Sequence, residues 1–160
     1  MQMPNADGPV VLTMCTGNVC RSPMAEALLR RGIERRGLRA HIVSRGLAAP
    51  VGRPPHEYAV AVAKSRGVPI PAGKCAAAVN QADLRAASII LVMDRGHRNA
   101  IQQRFATASG KTFLIGHWQG REIEDPINST PEIFERVWSE IEEGAEAWIE
   151  QMLAAKIIST

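Results

Sequence analysis

The chain has 160 residues, 46% of them hydrophobic and 22% charged, a balance typical of a soluble domain that excludes an intrinsically disordered chain. No apolar run approaches the roughly 18 residues of a membrane span, so no membrane insertion is expected. The net charge is +3, but the basic residues form no run or stripe and acidic residues dominate positions 121–160. This distribution argues against a nucleic-acid interface and favours a small anionic ligand.

The length predicts a single domain over residues 1–160, with residues 1–8 expected to be disordered. The opening letters MQMPNADGP carry neither a basic start nor an apolar segment, so no secretory signal is expected. The odd cysteine count favours reduced thiols over a disulfide framework. A cytoplasmic location follows as an expectation.

Strand and helix patterns alternate along the chain. The predicted elements are strand 10–12, helix 23–36, strand 41–44, loop 46–55, helix 56–66, strand 88–93, helix 95–105, strand 112–115 and a last helix from 131 to 152. The uncharged run SIILVM is typical of a central parallel strand. Thr130 is expected to cap the last helix, with Pro131 at its first position and its tryptophans, Trp138 and Trp148, in the core.

This alternation predicts an α/β fold: a three-layer, open, parallel four-stranded sheet with helices on both faces. Such sheets bind ligands at the carboxyl ends of their strands, near the point where the strand order switches. The loop between strand 1 and helix 1 is therefore the first place to look for chemistry.

That loop, CTGNVCRS at residues 15–22, has the composition of a phosphate-binding loop. Backbone N–H groups that wrap into a helix N-terminus favour an anion, and Gly17 and Asn18 tolerate the backbone angles that the turn needs. Arg21 offers a planar fork for two phosphate oxygens. The same field favours the thiolate of Cys15, to which Ser22 could donate a hydrogen bond. The loop therefore predicts a thiolate placed for in-line attack on phosphorus. The predicted phosphate-binding residues are Thr16, Gly17, Asn18, Val19, Cys20, Arg21 and Ser22.

Cleavage of a phosphate ester also needs an acid for the leaving oxygen and then a base for water. Asp125, followed by Pro126 in the loop before the last helix, is the best candidate for both roles. The predicted catalytic residues are thus Cys15, Arg21 and Asp125. Neither a cofactor nor a metal is expected, because the four histidines are scattered without ligand spacing.

At these residues the chain resembles the low-molecular-weight protein tyrosine phosphatases, above all the bacterial branch that acts on tyrosine autokinases of exopolysaccharide or capsule export. The matching segments are CTGNVCRSPMAEALL at 15–29, SRGLAAPVGRP at 44–54, SIILVMDRGH at 88–97, FLIGHWQGREIEDP at 113–126 and the final FERVWSEIEEGAEAW. The resemblance implies a phosphotyrosine protein substrate, with such an autokinase as the candidate, and it implies Cys15 as nucleophile, Arg21 as phosphate clamp and Asp125 as acid and base.

The resemblance also implies supporting roles. Asn18 would hold the strained loop, Ser22 would assist the thiolate, Leu47 and Ile127 would line the substrate slot, and Cys20 could form a reversible disulfide with Cys15 that protects it from irreversible oxidation. The chain departs from the family at Arg45 for a small residue, His56 for an aspartate, Lys74 for a histidine, Ala77 for an arginine and Ile127 for an aromatic residue. Aromatic stacking would then have to come from Trp118 or Tyr58, or be absent.

Three alternatives share the fold or the loop. Arsenate reductases of this fold relay a disulfide through two further cysteines, of which only Cys75 is present in the relevant stretch. Arginine phosphatases of this fold carry a threonine where this chain has Val19. A phospho-binding module without catalysis would lack the nucleophile or the acid, and both Cys15 and Asp125 are present.

Overall fold

The computed structural model describes residues 8–160, so seven of the eight residues predicted to be disordered lie outside the described part of the chain. Nine helices and strands follow one another within it. They are β1 (Val10–Cys15), α1 (Arg21–Arg35), β2 (His41–Gly46), α2 (Glu57–Ser65), α3 (Gln81–Ala86), β3 (Ile89–Val92), α4 (Arg95–Arg104), β4 (Thr112–Leu114) and α5 (Pro131–Ala154), with 3-10 turns at Ala106–Lys111 and His117–Gln119.

The four strands form one parallel sheet in the order β2-β1-β3-β4, which confirms the predicted fold class. From β1 the chain moves first to β2 on one side and later to β3 on the other, so the strand order switches at β1. The loop that follows β1 therefore lies at the switch point, where parallel sheets open a crevice for ligands.

Alternate residues of the strands face two separate cores, one on each side of the sheet. Val11, Ile89 and Leu91 pack with apolar residues of α1, α2 and α5. Leu12 and Ile90 pack with α3 and α4. This period of two explains why the strands read as continuous apolar runs: each is covered by helices on both faces.

The long helix α5 contributes Trp138 and Trp148 to the core, as predicted, and the indole N–H of Trp148 donates to the Leu114 carbonyl at 2.9 Å. Thr130 occupies its N-cap position, but the predicted side-chain cap is wrong because Thr130 makes no capping hydrogen bond. Pro131 at the first helical position removes one of the N–H groups that a cap would satisfy. Within residues 8–160, no helix is long and apolar enough to cross a membrane.

The spacing of apolar residues in the sequence does not indicate helix α3, because this helix has only six residues and one buried side chain, Leu84. Its start does carry a local signal: Asn80 and Asp83 form a capping box, in which each side chain accepts from the other residue's backbone N–H.

Candidate active site

The predicted phosphate loop joins the end of β1 to the start of α1 and turns sharply between them. Asn18 has a left-handed backbone, with φ at 56°, and is almost completely buried. Gly46 at the end of β2 packs directly against the loop: a Cβ there would lie 2.7 Å from the Thr16 carbonyl oxygen. Asparagine tolerates the left-handed backbone at position 18, and only glycine fits the close approach at position 46. The shape of the turn therefore depends on the loop itself and on the end of β2.

The Cys15 thiol is buried at the base of this turn. Its Sγ accepts the Asn18 backbone N–H at 3.2 Å and lies 3.0 Å from the Ser22 hydroxyl. The Asn18 amide donates to that hydroxyl oxygen at 2.8 Å, which leaves the hydroxyl hydrogen of Ser22 available to the sulfur. Donors therefore converge on the sulfur, the setting that a thiolate nucleophile needs.

The side chain of Asn18 also ties the loop to two residues outside it, Ser44 and Ala77. Its Nδ2 donates to Ser44 Oγ at 3.0 Å as well as to Ser22, and its Oδ1 accepts the Ala77 N–H at 2.9 Å. With the amide fully engaged, its orientation is fixed by the bonds themselves. Ala77 supports the loop through its backbone, which needs no particular side chain.

Beneath Ser44 lies a buried ion pair between Glu26 of α1 and Lys74. Their charged atoms are 2.9 Å apart, Lys74 also donates to Ser44 at 2.8 Å, and Ser44 donates to Glu26 at 2.5 Å. Arg30 donates to the other oxygen of Glu26. Burial alone would raise the pKa of Glu26, but the hydrogen bonds from Ser44, Arg30 and Lys74 outweigh it and lower that pKa. Lys74 thus supports the loop through its contacts with Glu26 and Ser44.

On the other side of the loop, Arg21 is buried and held by groups from two distant segments. Its Nη1 donates to the Ile123 carbonyl at 2.7 Å and to Asp94 Oδ2 at 3.1 Å. Its Nη2 lies 3.7 Å from Asp125 Oδ2. The structure therefore brings Asp125 into the same site as Cys15 and Arg21, although 110 positions separate it from Cys15 in the sequence.

Asp94 and His97 flank Arg21 at the start of α4. Burial would raise the pKa of Asp94, but the His97 N–H bond and Arg21 lower it. His97 is buried, its Nε2 lies 2.9 Å from Thr16 Oγ1, and burial lowers its pKa. Sequence reasoning assigned no role to either residue. The signal that could have found them is their position just after β3, because polar residues at the carboxyl ends of parallel strands meet at one edge.

Cys15, Arg21 and Asp125 line a common pocket of about 250 Å³. Its lining is Cys15, Thr16, Gly17, Val19, Cys20, Arg21, Asp125 and Ile127. Asp125 is partly exposed at the rim and its Oδ1 accepts the Ile127 N–H at 3.1 Å. Ile127 is 41% exposed, so its side chain is free to meet a ligand.

The other residues predicted for the substrate wall are not among these lining residues, although the Leu47 N–H donates to the Cys15 carbonyl at 3.0 Å. Leu47 packs against the core on the α3 and α4 side of the sheet. Tyr58 packs edge-on against Phe134, and Trp118 packs against Trp148. The backbone of His56 contacts the phosphate loop, because its N–H donates to the Val19 carbonyl at 2.8 Å. Among the residues that line the pocket in the described part of the chain, none is aromatic, and Val19 and Ile127 supply its aliphatic side chains.

The remaining thiols differ from Cys15. Burial, together with the charges of Asp125 and Cys15, raises the pKa of Cys20 to about 12, so Cys20 stays protonated. Cys75 is exposed next to Lys74. Over residues 8–160 no group of three or more His, Cys, Asp or Glu side chains is arranged to hold a metal ion.

Comparisons with known proteins find similar sequences and structures over nearly the whole chain. Residues 10–157 match the family model described as low molecular weight phosphotyrosine protein phosphatase. The chain is 35% identical over 140 residues to the probable low molecular weight protein-tyrosine-phosphatase AmsI of Erwinia amylovora, covering 87% of this chain and 94% of that one.

Two solved structures extend the comparison. The tyrosine phosphatase Wzb from Escherichia coli K30, in complex with sulphate, superposes with a TM-score of 0.84 at 34% identity and covers 91% of this chain and 99% of its own. The YwlE arginine phosphatase from Geobacillus stearothermophilus superposes with a TM-score of 0.82 at 29% identity, covering 93% and 96%.

Proposed function

The chain belongs to the low molecular weight phosphotyrosine protein phosphatase family, and from that premise we propose that it hydrolyses phosphotyrosine on protein substrates through a covalent intermediate on Cys15. The observation that carries this proposal is the convergence of donors on the buried Cys15 sulfur, at the base of a pocket with Asp125 at its rim. No cofactor takes part in the reaction as proposed.

In the first step the Cys15 thiolate attacks phosphorus in line with the ester bond. An S–P bond forms as the P–O bond to the tyrosine breaks, and Asp125 gives its proton to the departing phenolic oxygen. Arg21 is prepared for the phosphoryl group because Asp94 and the Ile123 carbonyl hold its Nη1. This leaves its Nε–Nη2 edge to grip two phosphoryl oxygens together with the backbone N–H groups of the loop.

In the second step a water molecule attacks the cysteinyl phosphate from the side that the tyrosine has left. Asp125, now a carboxylate, takes a proton from that water, the S–P bond breaks, and inorganic phosphate and the Cys15 thiolate are released. Ser22 stabilises the departing thiolate by hydrogen bonding, as its 3.0 Å contact with the sulfur permits.

The depth of the sulfur supports phosphotyrosine as the substrate. Cys15 is 3% exposed, whereas Ile127 at the mouth is 41% exposed, so a phosphoryl group must extend well below the protein surface to reach the thiolate. A phenyl ring spans that depth, and the shorter side chain of phosphoserine does not. Val19 and Ile127 would contact the ring by apolar packing rather than by stacking.

The first test compares rates on phosphotyrosine and phosphoserine peptides. We expect turnover of phosphotyrosine that Cys15→Ser abolishes, while Cys75→Ser, the matched change at an exposed thiol, leaves the rate unchanged. Full activity of Cys15→Ser would show that Cys15 is not the nucleophile.

Asp125→Asn is expected to slow the hydrolysis of aryl phosphates with poor leaving groups by roughly two to four orders of magnitude, and the hydrolysis of those with good leaving groups much less. Glu132→Gln on the exposed first turn of α5 is its control. Equal slowing of both substrate types would remove Asp125 as the acid.

A second candidate is the hydrolysis of phosphoarginine, because the chain is also similar to the YwlE arginine phosphatase from Geobacillus stearothermophilus. The aliphatic Val19 in the pocket argues against it, since Val19 offers no hydroxyl to bind a guanidinium. Turnover of a phosphoarginine peptide faster than of phosphotyrosine would favour this candidate. If position 19 selects the leaving group, Val19→Thr raises the phosphoarginine rate.

We further propose that the physiological partner is a tyrosine autokinase of exopolysaccharide export, encountered in the cytoplasm. The support is the family resemblance of the sequence, and the free state of Cys15, Cys20 and Cys75 fits a reducing compartment. A phosphorylated kinase tail should then be hydrolysed with a higher kcat/KM than unrelated phosphotyrosine peptides. Equal values would leave the enzyme without preference for such a tail.

A further inference from the structure

The imidazole of His97 connects the phosphate loop to the end of β3. The side chain is buried, its Nδ1 lies 3.3 Å from the Met93 backbone nitrogen, and its Nε2 lies 2.9 Å from Thr16 Oγ1. Thr16 itself is exposed and lines the pocket. A buried ring thus touches an exposed hydroxyl that immediately follows the nucleophile.

Two groups lie near Nδ1 of the ring: the buried Met93 N–H points at it from 3.3 Å, and Asp94 Oδ1 lies 3.5 Å away. Asp94 Oδ1 already accepts the His97 backbone N–H at 2.9 Å, so we assign Nδ1 as the acceptor of the Met93 N–H, because the other tautomer would set two N–H groups against each other. Burial lowers the pKa of His97, so the ring is neutral near pH 7 and its single hydrogen lies on Nε2. Nε2 consequently donates to Thr16 Oγ1.

This direction decides what the Thr16 hydroxyl can do. Once its oxygen accepts from His97, its own hydrogen must find another acceptor, and the pocket is where a phosphoryl group would supply one. We propose that Thr16 Oγ1 donates a hydrogen bond to an oxygen of the bound phosphoryl group, and that His97 is the positioning residue that orients this hydroxyl. The inference rests on the proposed function, because it concerns the same pocket.

The surroundings of His97 suit a positioning role. Asp94 accepts the His97 backbone N–H at 2.9 Å with one oxygen and binds Arg21 with the other, so His97 and the phosphate clamp share one anchor. The charged groups near the ring are Asp94, Arg21 and Asp125, all of which belong to the site. His97 therefore links two phosphate-contacting groups without touching the substrate itself.

The experiment measures the binding of inorganic phosphate by calorimetry, which needs no turnover. Thr16→Val keeps the shape and removes the hydroxyl, and we expect about tenfold weaker binding, as for the loss of one hydrogen bond to a charged group. Thr16→Ser keeps the hydroxyl and should recover most of the affinity that Thr16→Val loses. Thr107→Val, at an exposed threonine of the 3-10 turn Ala106–Lys111, is the matched control and should change nothing.

A double-mutant cycle then separates positioning from mere structural support. His97→Phe should weaken phosphate binding several-fold when Thr16 is present and should have no further effect in the Thr16→Val background. His97→Gln, whose amide can still donate to Thr16, should restore most of the affinity. Equal weakening by His97→Phe in both backgrounds would show that His97 acts only through the fold.

The two proposals fail in different ways. If the wild type hydrolyses phosphotyrosine but Thr16→Val binds phosphate as tightly as the wild type, the role of Thr16 is refuted and the proposed function stands. If the wild type binds phosphate with the expected dependence on Thr16 yet hydrolyses no phosphotyrosine, the proposed function fails and the role of Thr16 stands.

Discussion

Replacing Lys74 by methionine tests whether the buried ion pair beneath the phosphate loop stabilises the protein. The side chains of Lys74 and Glu26 are 15% and 10% exposed, and their charged atoms are 2.9 Å apart, so solvent screens the pair weakly. Breaking a buried pair costs about 3–5 kcal/mol. Because Glu26 keeps its bonds to Ser44 and Arg30, we expect a smaller loss of about 2 kcal/mol of unfolding free energy.

Urea denaturation measures this loss directly, and thermal unfolding should show a fall in Tm of about 4–8 °C for a chain of this size. Lys64→Met, at an exposed lysine of α2, is the matched control and should stay within about 0.5 kcal/mol of the wild type. In combination with Glu26→Gln, the Lys74→Met change should cost clearly less, because no unpaired carboxylate remains.

The same substitution should reach the active site through Ser44 and Asn18. Ser44 would lose one of its two donors, and a looser Asn18 would place the loop less accurately, so we expect kcat/KM on an aryl phosphate to fall by roughly tenfold. Unchanged stability together with unchanged kcat/KM, matching Lys64→Met on both counts, would refute the argument that charge beneath Ser44 supports the loop.

Three further predictions concern the pocket wall, the close approach of β2 and acid stability. Ile127→Tyr should raise kcat/KM on phosphotyrosine peptides by roughly three- to tenfold through ring packing, with phosphate affinity unchanged; a lower kcat/KM would mean that the aliphatic wall is preferred. Gly46→Ala should cost about 1–3 kcal/mol in urea denaturation and reduce activity, since its Cβ would lie 2.7 Å from the backbone oxygen of Thr16; a neutral result would mean that the loop shifts freely. The lowered pKa of Glu26 means that the folded chain holds its carboxylate better than the unfolded chain. Its contribution is therefore complete above the ordinary value of 4.5 and is lost as the pH falls through the lowered one, so the stability gap between wild type and Glu26→Gln should narrow below about pH 4.5.

Most of the fold was predictable because the sheet is buried on both faces. Strands covered on both sides read as apolar runs, and the helices between them carry a clear apolar stripe. The first predicted strand nevertheless ended three residues early, at Leu12, because Thr13 and Cys15 are buried although one is polar and the other belongs to the site. Thr13 satisfies its hydroxyl by donating to the Ser22 carbonyl, a contact across the loop that no local pattern indicates.

The residues of the site also differ in how clearly the sequence indicates them. The loop residues are contiguous, and their types follow from the chemistry of holding an anion, so Cys15 and Arg21 stand out in the sequence. Glu26 does not, because a glutamate on a helix is usually a solvated residue and its burial depends on a lysine that lies 48 positions away in the sequence. His97 is hidden for the same reason: its partner Thr16 is 81 positions away.

These distant supports approach the loop from opposite sides of β1. Ser44 lies on β2, and Asp94 and His97 follow β3, the two strands that pair directly with β1. The arm through Asn18 holds the backbone turn, whereas the arm through Asp94 holds the Arg21 side chain, and no described residue is shared between the two sets of hydrogen bonds. Damage to the Asn18 arm should therefore loosen mainly the turn, whereas damage to the Asp94 arm should loosen the clamp together with the His97 contact to Thr16. The parallel order β2-β1-β3 is what makes this possible, since a loop at the switch point has a neighbouring strand end on either side.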